Sequence, residues 1–207
     1  MSQIIRTLVV DDSAFVRKIV KEMLQRSPLI EVVGTARDGA EALEMVEELR
    51  PDVVTCDLLM PTLDGVGFVR AQMARRPLPI LILTAASQDA EQVLGALEAG
   101  AFDFVQKPNA LATDQLLNIR QQLVDKVKAA GRTPAANLRV NGKASLPPAP
   151  LAVRPAVKID AVVIGISTGG PQALRHFMPE LPANFPVPIA LVLHMPIGYT
   201  ALFAEKL

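Results

Sequence analysis

Five polar residues within the first 107 residues of this sequence follow short apolar runs: Asp11, Asp12, Asp57, Thr84 and Lys107. Three carboxylates gathered in one place repel, because unit charges ~4 Å apart interact by about 1 kcal/mol even in bulk water. A hard divalent cation such as Mg2+ relieves this repulsion, and it binds carboxylates together with water and phosphate oxygens. With an ammonium and a hydroxyl beside the metal, the set suits a phosphoryl group carried on Asp57.

The runs before these residues belong to a regular alternation of strand and helix patterns. Strands are predicted at 7–10, 31–36, within 52–61, at 79–85 and at 101–106. Helices are predicted at 13–26, 38–49, 65–75, 87–100 and 114–130, with Ser13, Asp38 and Ser87 as N-caps. Five such units with continuously apolar strands predict a five-stranded, doubly wound parallel sheet of the flavodoxin-like class.

In sheets of this kind, binding sites form outside the carboxyl ends of the strands. All five polar residues follow predicted strand ends, so we expect them at one edge of the sheet. Each residue alone has an ordinary interpretation: a capping or strand-end acid, a capping hydroxyl, or a solvated lysine. Their convergence on one edge is what indicates a site.

The first 130 residues resemble the response-regulator receiver family. The resemblance is carried by Asp11-Asp12, by Asp57 with Met60-Pro61 and Asp64-Gly65, and by Thr84-Ala85 and Lys107-Pro108. It implies that Asp57 is the phosphoacceptor and that Mg2+ is held by Asp12, Asp57 and the Leu59 carbonyl, with Asp11 acting through water. It also implies phosphate-binding roles for Thr84 and Lys107, and a switch role for Phe104. An aromatic residue in an apolar strand is otherwise more often part of the core.

Residues 131–158 lose all periodicity and carry Pro134, Pro147, Pro148, Pro150 and Pro155 among Ala, Asn, Gly and Arg. This composition is typical of an extended linker. Periodicity then resumes, with strands predicted at 159–166 and 187–193 and helices predicted at 171–178 and from 199 onward. We therefore predict a receiver domain at 1–130, a flexible linker at 131–158, and the first strand–helix units of a second doubly wound α/β domain at 159–207.

The second domain opens with Gly165-Ile166-Ser167-Thr168-Gly169, a Gly-x-Ser-x-Gly sequence between a predicted strand and a predicted helix. Small neighbours allow a serine on such a turn to expose its hydroxyl, and the following helix N-terminus favours a developing oxyanion. His194 follows the next strand, about 5 Å away if the two strands pair in parallel, and could act as a general base. A phosphate cradle and a structural histidine are the alternatives that the pattern leaves open.

The whole chain resembles the CheB-type chemotaxis protein-glutamate methylesterases, through Gly-x-Ser-Thr-Gly-Gly at 165–170 and His-Met-Pro at 194–196. The resemblance implies that Ser167 is the nucleophile and His194 the base in hydrolysis of γ-glutamyl methyl esters, with deamidation of some glutamines. It implies methylated cytoplasmic helices of chemoreceptors as substrate and a chemotaxis histidine kinase as phosphodonor.

The resemblance also implies a third triad residue, an aspartate, far downstream. After Ser167 the only acids are Glu180 and Glu205, and neither matches that position. Loss of the orienting acid costs a serine protease about 10⁴ in turnover. We therefore expect residues 1–207 to be an inactive fragment of a longer enzyme.

Composition narrows the function classes further. The 21 basic and 21 acidic residues balance, which gives no basis for electrostatic binding to nucleic acid. The single cysteine, Cys56, fits a reducing compartment, and neither a signal peptide nor an apolar run of membrane-spanning length is evident. We expect a cytoplasmic protein that does not insert into membranes.

Two other functions remain to be weighed against a phosphorylation-gated esterase, in which phospho-Asp57 relieves inhibition by the receiver domain. One is a phospho-responsive binding module whose tail has no catalytic role, which the missing acid favours. The other is a DNA-binding response regulator. That function requires a basic helix-turn-helix where the sequence has the glycine-rich serine turn instead.

Overall fold

The structure is a computed structural model that describes residues 4–84, 90–107, 113–134, 138, 158–196 and 198–207, with backbone alone at 113–116. Its strands are β1 (Ile5–Val10), β2 (Ile30–Ala36), β3 (Val53–Asp57), β4 (Ile80–Thr84), β5 (Asp103–Gln106), β6 (Val162–Ile166) and β7 (Ile189–Leu193). Its helices are α1 (Ala14–Gln25), α2 (Gly39–Leu49), α3 (Gly65–Arg75), α4 (Ala90–Ala99), α5 (Thr113–Gly131), α6 (Gly170–Phe177) and α7 (Tyr199–Glu205).

The first five strands form one parallel sheet in the order β2-β1-β3-β4-β5. Helices α1 and α5 pack together, while α2, α3 and α4 pack side by side in sequence. This arrangement covers both faces of the sheet, and accordingly every residue of β3 and β4 is buried. The predicted flavodoxin-like class is confirmed, and the order places the carboxyl ends of β1, β3, β4 and β5 side by side.

Local sequence signals set the helix starts. Ser13 accepts a hydrogen bond from the Val16 N–H, and Asp38 accepts two, from Ala40 and Glu41. Gly100 follows α4 with φ of 113°, a left-handed conformation that favours glycine. The N-cap prediction at Ser87 lies outside the described residues.

The remaining two strands form a separate parallel sheet, with Val162 opposite Ile189 and Ile166 opposite Leu193. Their side chains alternate between half-buried and exposed positions, and Val163 and Val192 are 70% and 60% exposed. One face of this sheet is therefore uncovered in the described part of the chain.

Several boundaries differ from the sequence prediction for identifiable reasons. Strand β6 begins at Val162 rather than at residue 159, because β7 begins at Ile189 and offers no partner to the exposed residues before Val162. Helix α6 ends at Phe177 and continues as a single 3₁₀ turn, Met178–Glu180, that contains Pro179. Most of the predicted linker, 131–158, lies outside the described residues, although Leu138 within it is buried.

Residues 158–207 form a second unit that packs on the five-stranded sheet, with α6 against β5. Helix α7 contacts α4, and its Tyr199 and Phe203 are buried in the same apolar cluster as the core of the five-stranded sheet. Lys206 also lies 2.8 Å from Glu98 of α4 across this contact. No helix in the described part of the chain is long and apolar enough to cross a membrane.

Candidate phosphorylation site and serine–histidine site

The carboxyl ends of β1, β3 and β5 bring Asp11, Asp57 and Lys107 together at one edge of the sheet. The Lys107 Nζ lies 2.6 Å from an Asp11 carboxylate oxygen and 2.9 Å from an Asp57 carboxylate oxygen. Asp11 is fully buried and Asp57 is 8% exposed, so this ammonium offsets the charge of two carboxylates that are largely removed from water.

A carboxylate cluster suited to a metal ion lies at the same edge. Asp11, Asp12 and Asp57 each place one oxygen within 4.8 Å of the others, and Asp12 is exposed. Carboxylate oxygens of this kind are the ligands that Mg2+ prefers, and the exposed side leaves room for the waters that it retains. The residues therefore fit the metal predicted from the sequence.

Burial raises the pKa of the Asp57 carboxyl, and the charge of Asp11 adds to this effect, while the Lys107 ammonium and the Leu58 N–H oppose it. Burial lowers the pKa of Lys107, but the hydrogen bond to Asp11 and the two carboxylate charges outweigh burial and raise it overall. One ammonium faces three carboxylates at this edge, and the excess of negative charge fits a site that binds a metal ion.

The turn after β3 fixes the position of Asp57. Its Oδ1 accepts the Leu58 N–H at 2.9 Å, and the Gly65 N–H donates to the Leu58 carbonyl at 2.9 Å. A Cβ at Gly65 would overlap the Asp57 carbonyl oxygen. The start of α3 can therefore approach the end of β3 this closely only because residue 65 is glycine.

The other receiver residues implied by resemblance take different positions. Thr84 is fully buried at the end of β4, and its carbonyl accepts the Lys107 N–H at 2.6 Å. Leu59 is 55% exposed beside the acidic edge, and its role as a carbonyl ligand stays a prediction. Ala85 and Pro108 lie outside the described residues.

Ser167 and His194 lie at the carboxyl ends of β6 and β7, which pair in parallel. The His194 N–H donates to the Ile166 carbonyl at 3.0 Å, which continues the strand pairing to the residue before the serine. The Ser167 Oγ is 3.3 Å from the His194 Nδ1, and both side chains are exposed. A histidine nitrogen at this distance can accept the hydroxyl proton, so the pair can form an activated nucleophile.

The turn after Ser167 has the geometry that its glycines require. Gly169 is the N-cap of α6 with φ of 73°, and Pro171 occupies the first helical turn. A cleft of about 420 Å³ lies beside the serine–histidine pair, lined also by Gln121, Gln122 and Asp125 of α5 in the receiver unit. Within the described residues, no carboxylate forms an ion pair with His194, and Glu180 and Glu205 are exposed.

Phe104 lies at the contact between the two units and not at the solvent surface. It is 3% exposed, and its ring centroid lies 4.8 Å from that of Tyr199 in α7. The residue predicted as a switch therefore contacts the unit that carries the serine, while its switch role stays a prediction.

Three residues at this contact were missed from the sequence: Phe102, Asp103 and Lys126. Asp103 is 3% exposed in β5 and pairs with the Lys126 Nζ at 2.9 Å. The sequence did carry a signal for Asp103, because an aspartate inside an apolar strand needs a polar or charged partner when it is buried. The identity of that partner, Lys126, could not be predicted from the sequence.

Comparison with known proteins gives two family matches in one chain. Residues 7–119 match the response regulator receiver domain, and residues 162–207 match the CheB methylesterase. The chain belongs to the CheB methylesterase family.

Curated relatives of this CheB-family chain align with nearly its full length. A protein-glutamate methylesterase/protein-glutamine glutaminase of Myxococcus xanthus is 48% identical over 98% of this chain and 58% of its own length. Relatives with the same name from Koribacter versatilis and Bacillus subtilis are 44% and 39% identical over 98% of this chain. The chain thus spans about 58% of the length of such relatives.

A solved structure supports the receiver half of the CheB-family chain. The crystal structure of the response regulator domain of Thermotoga maritima CheB is 34% identical, with a TM-score of 0.58. The match covers 64% of this chain and 99% of that domain.

Proposed function

We propose that the complete protein is a phosphorylation-regulated protein-glutamate methylesterase and protein-glutamine glutaminase. The observation that carries this proposal is the Ser167 Oγ at 3.3 Å from the His194 Nδ1, in the same chain as a receiver-type acidic edge. The names of the curated relatives support the same activity. The substrates are γ-glutamyl methyl esters and selected glutamines on the cytoplasmic helices of chemoreceptors.

The chemistry follows from the pair. His194 accepts the Ser167 proton as the hydroxyl oxygen attacks the ester carbonyl, and the tetrahedral intermediate expels methanol, which takes that proton. Water then hydrolyses the acyl-serine to a glutamate carboxylate and restores the hydroxyl. A glutamine side chain follows the same course and loses ammonia. In this orientation, Nε2 is the nitrogen that an orienting acid would contact.

In the receiver unit, Asp57 is the phosphoacceptor and a chemotaxis histidine kinase is the phosphodonor. Asp12, Asp57 and the Leu59 carbonyl would hold Mg2+, with Asp11 acting through water. When bound, the metal would neutralise the charge of the phosphoryl oxygens. Lys107 and Thr84 contact the phosphoryl group, and Phe104 reports its presence. Because the kinase and the receptor helices are both met in the cytoplasm, the protein acts there.

The domain organisation belongs to the same proposal: a receiver at 1–130, a linker at 131–158, and the N-terminal part of a catalytic domain at 159–207. The exposed face of β6 and β7 supports the last assignment, because Val163 and Val192 would be buried in a complete doubly wound domain. Before phosphorylation, the receiver restricts the serine site, and phospho-Asp57 shifts the population toward an open form.

The test uses the complete gene product with a methylated receptor fragment, Mg2+ and a small-molecule phosphodonor, and measures methanol release. Ser167→Ala should lower the rate by roughly 10⁴-fold or more, because nucleophile and base act as a unit. His194→Gln should lower the rate by a similar factor, and the double variant Ser167→Ala/His194→Gln should lower it little further. Retention of most of the activity by Ser167→Ala would rule out the serine esterase.

A further inference from the structure

Three consecutive receiver residues, Phe102, Asp103 and Phe104, contact the unit that carries the serine. The Asp103 Oδ2 accepts the Gly169 N–H at 3.0 Å. A Cβ at Gly169 would lie 2.9 Å from the Phe102 ring, so the serine turn and β5 are in close contact. Phe104 meets Tyr199 on the next element of the same unit.

The hydrogen bond from Gly169 matters because few backbone donors remain at the serine turn. The Gly170 N–H donates to the Ser167 carbonyl at 2.8 Å, and Pro171 has no N–H. The Gly169 N–H is thus one of the donors at the start of α6 that could face an anion beside Ser167. In this structure it faces a carboxylate of the receiver.

Asp103 is also tied to the residues that surround Phe104. Its Oδ1 accepts the Phe104 N–H at 2.7 Å and the Lys126 Nζ at 2.9 Å. The same ammonium donates to the Phe104 carbonyl at 2.7 Å and lies 5.5 Å from the centroid of its ring. A displacement of Phe104 therefore disturbs the two donors that hold the Asp103 carboxylate in place.

We propose that Asp103 is the residue through which the receiver restrains the serine turn. Its carboxylate accepts the Gly169 N–H and so holds the serine turn against the receiver, and activation breaks this contact. The inference rests on the proposed esterase function and adds the regulatory contact at the same site. Asp103 does not touch the substrate; it acts through the backbone of the turn and is a positioning residue.

The contact is tested directly by amide hydrogen exchange of Gly169, measured by NMR in the chain of residues 1–207. Asp103→Ala should raise the Gly169 exchange rate about tenfold, the effect of losing one hydrogen bond to a charged group. Asp103→Asn keeps the side-chain size and one acceptor oxygen, so its rate should lie between those of wild type and Asp103→Ala. Amides of β3 report in the same spectra that the receiver remains folded.

Glu98→Gln is the matched control, because Glu98 is also a receiver carboxylate that contacts the second unit, through Lys206. It should leave the Gly169 exchange rate unchanged. Beryllium fluoride with Mg2+, which mimics a phosphoryl group on aspartate, should raise the rate in wild type and add nothing in Asp103→Ala. An unchanged Gly169 rate in a folded Asp103→Ala would overturn the proposal.

A second measurement separates regulation from mere structure. In the complete gene product without phosphodonor, Asp103→Asn should raise basal ester hydrolysis several-fold and reduce the additional activation by phosphodonor, whereas Glu98→Gln should change neither. Faster Gly169 exchange with unaltered basal rate and activation would show a purely structural contact and contradict the proposal. If wild type hydrolyses no ester under any condition, the esterase function fails, while the exchange experiment still decides the contact.

Discussion

At the residue scale, Lys107 is the centre of the acidic edge that we propose as the phosphorylation site. A single ammonium contacts both Asp11 and Asp57, at 2.6 and 2.9 Å, and Asp12 lies on the exposed side of the cluster. One ammonium facing three carboxylates leaves excess negative charge at this edge. Burial is the main cause of the raised pKa of Asp57; the Asp11 charge adds to the rise, and the Lys107 ammonium opposes it.

The raised pKa predicts that Asp57→Asn stabilises the metal-free protein at pH 7, on the order of 1 kcal/mol, because burial disfavours the charged carboxylate that the substitution removes. A carboxyl whose pKa is raised by folding binds more protons when folded, so wild-type stability falls as pH rises through the window above its usual pKa of 3.8. The advantage of Asp57→Asn should therefore disappear below that pH, where the carboxyl is protonated in both states. Urea unfolding at several pH values measures it.

The same pair of proteins tests the metal site. Saturating Mg2+ binds the folded cluster and stabilises wild type, so it should shrink or reverse the difference from Asp57→Asn at pH 7. An equal gain from Mg2+ in both proteins would show that Asp57 is not a ligand.

At the element scale, the turn from β3 into α3 sets where Asp57 stands. Gly65 begins α3 against the Asp57 carbonyl, whereas Gly95, in the middle of α4, has open space around it. The two glycines are chemically identical and differ only in what surrounds them. They form a matched pair for testing the backbone geometry of the site.

Gly65→Ala should destabilise the protein by about 2–3 kcal/mol, since the added methyl overlaps backbone atoms that cannot move without shifting Asp57. Gly95→Ala should stabilise it by about 0.5–1 kcal/mol, because alanine is the better helix former. Thermal or urea unfolding compares the two. Similar effects for both substitutions would contradict the close approach at Gly65.

Much of the receiver fold was predictable from local patterns. The strands that carry Asp57 and Thr84 are continuously apolar, which indicates burial on both faces, and Ser13 and Asp38 act as the predicted N-caps. Once β6 and β7 pair in parallel, the approach of Ser167 to His194 follows from their places at the two strand ends, as predicted from the sequence on that condition.

The contact between the units was not predictable, for a physical reason. Periodicity shows which face of an element is apolar but not which element covers it. The sequence therefore leaves Phe104 as either a core or a switch residue. Tyr199, which it contacts, lies far along the chain, beyond the segment 131–158 that has no hydrophobic periodicity. Asp103 accepts a hydrogen bond from Gly169, and no local signal links the two.

At the scale of the whole molecule, the acidic edge and the serine site are connected through packed residues. Thr84 pairs with Gln106 and Ile82 with Phe104 across β4 and β5, and Phe104 contacts Tyr199. A phosphoryl group on Asp57 would therefore act on strands that contact the unit carrying Ser167. This continuity would provide a physical route for the proposed shift between restrained and open forms.

The central claim is that Asp57 controls hydrolysis at Ser167, and one comparison tests it. Methanol release from a methylated receptor fragment is measured for the complete gene product and its Asp57→Asn variant, each with Mg2+, with and without phosphodonor. The wild type should accelerate about tenfold or more, a population shift of roughly 1.4 kcal/mol, and Asp57→Asn should not respond. Equal acceleration of both proteins, or none in the wild type, would contradict control by Asp57.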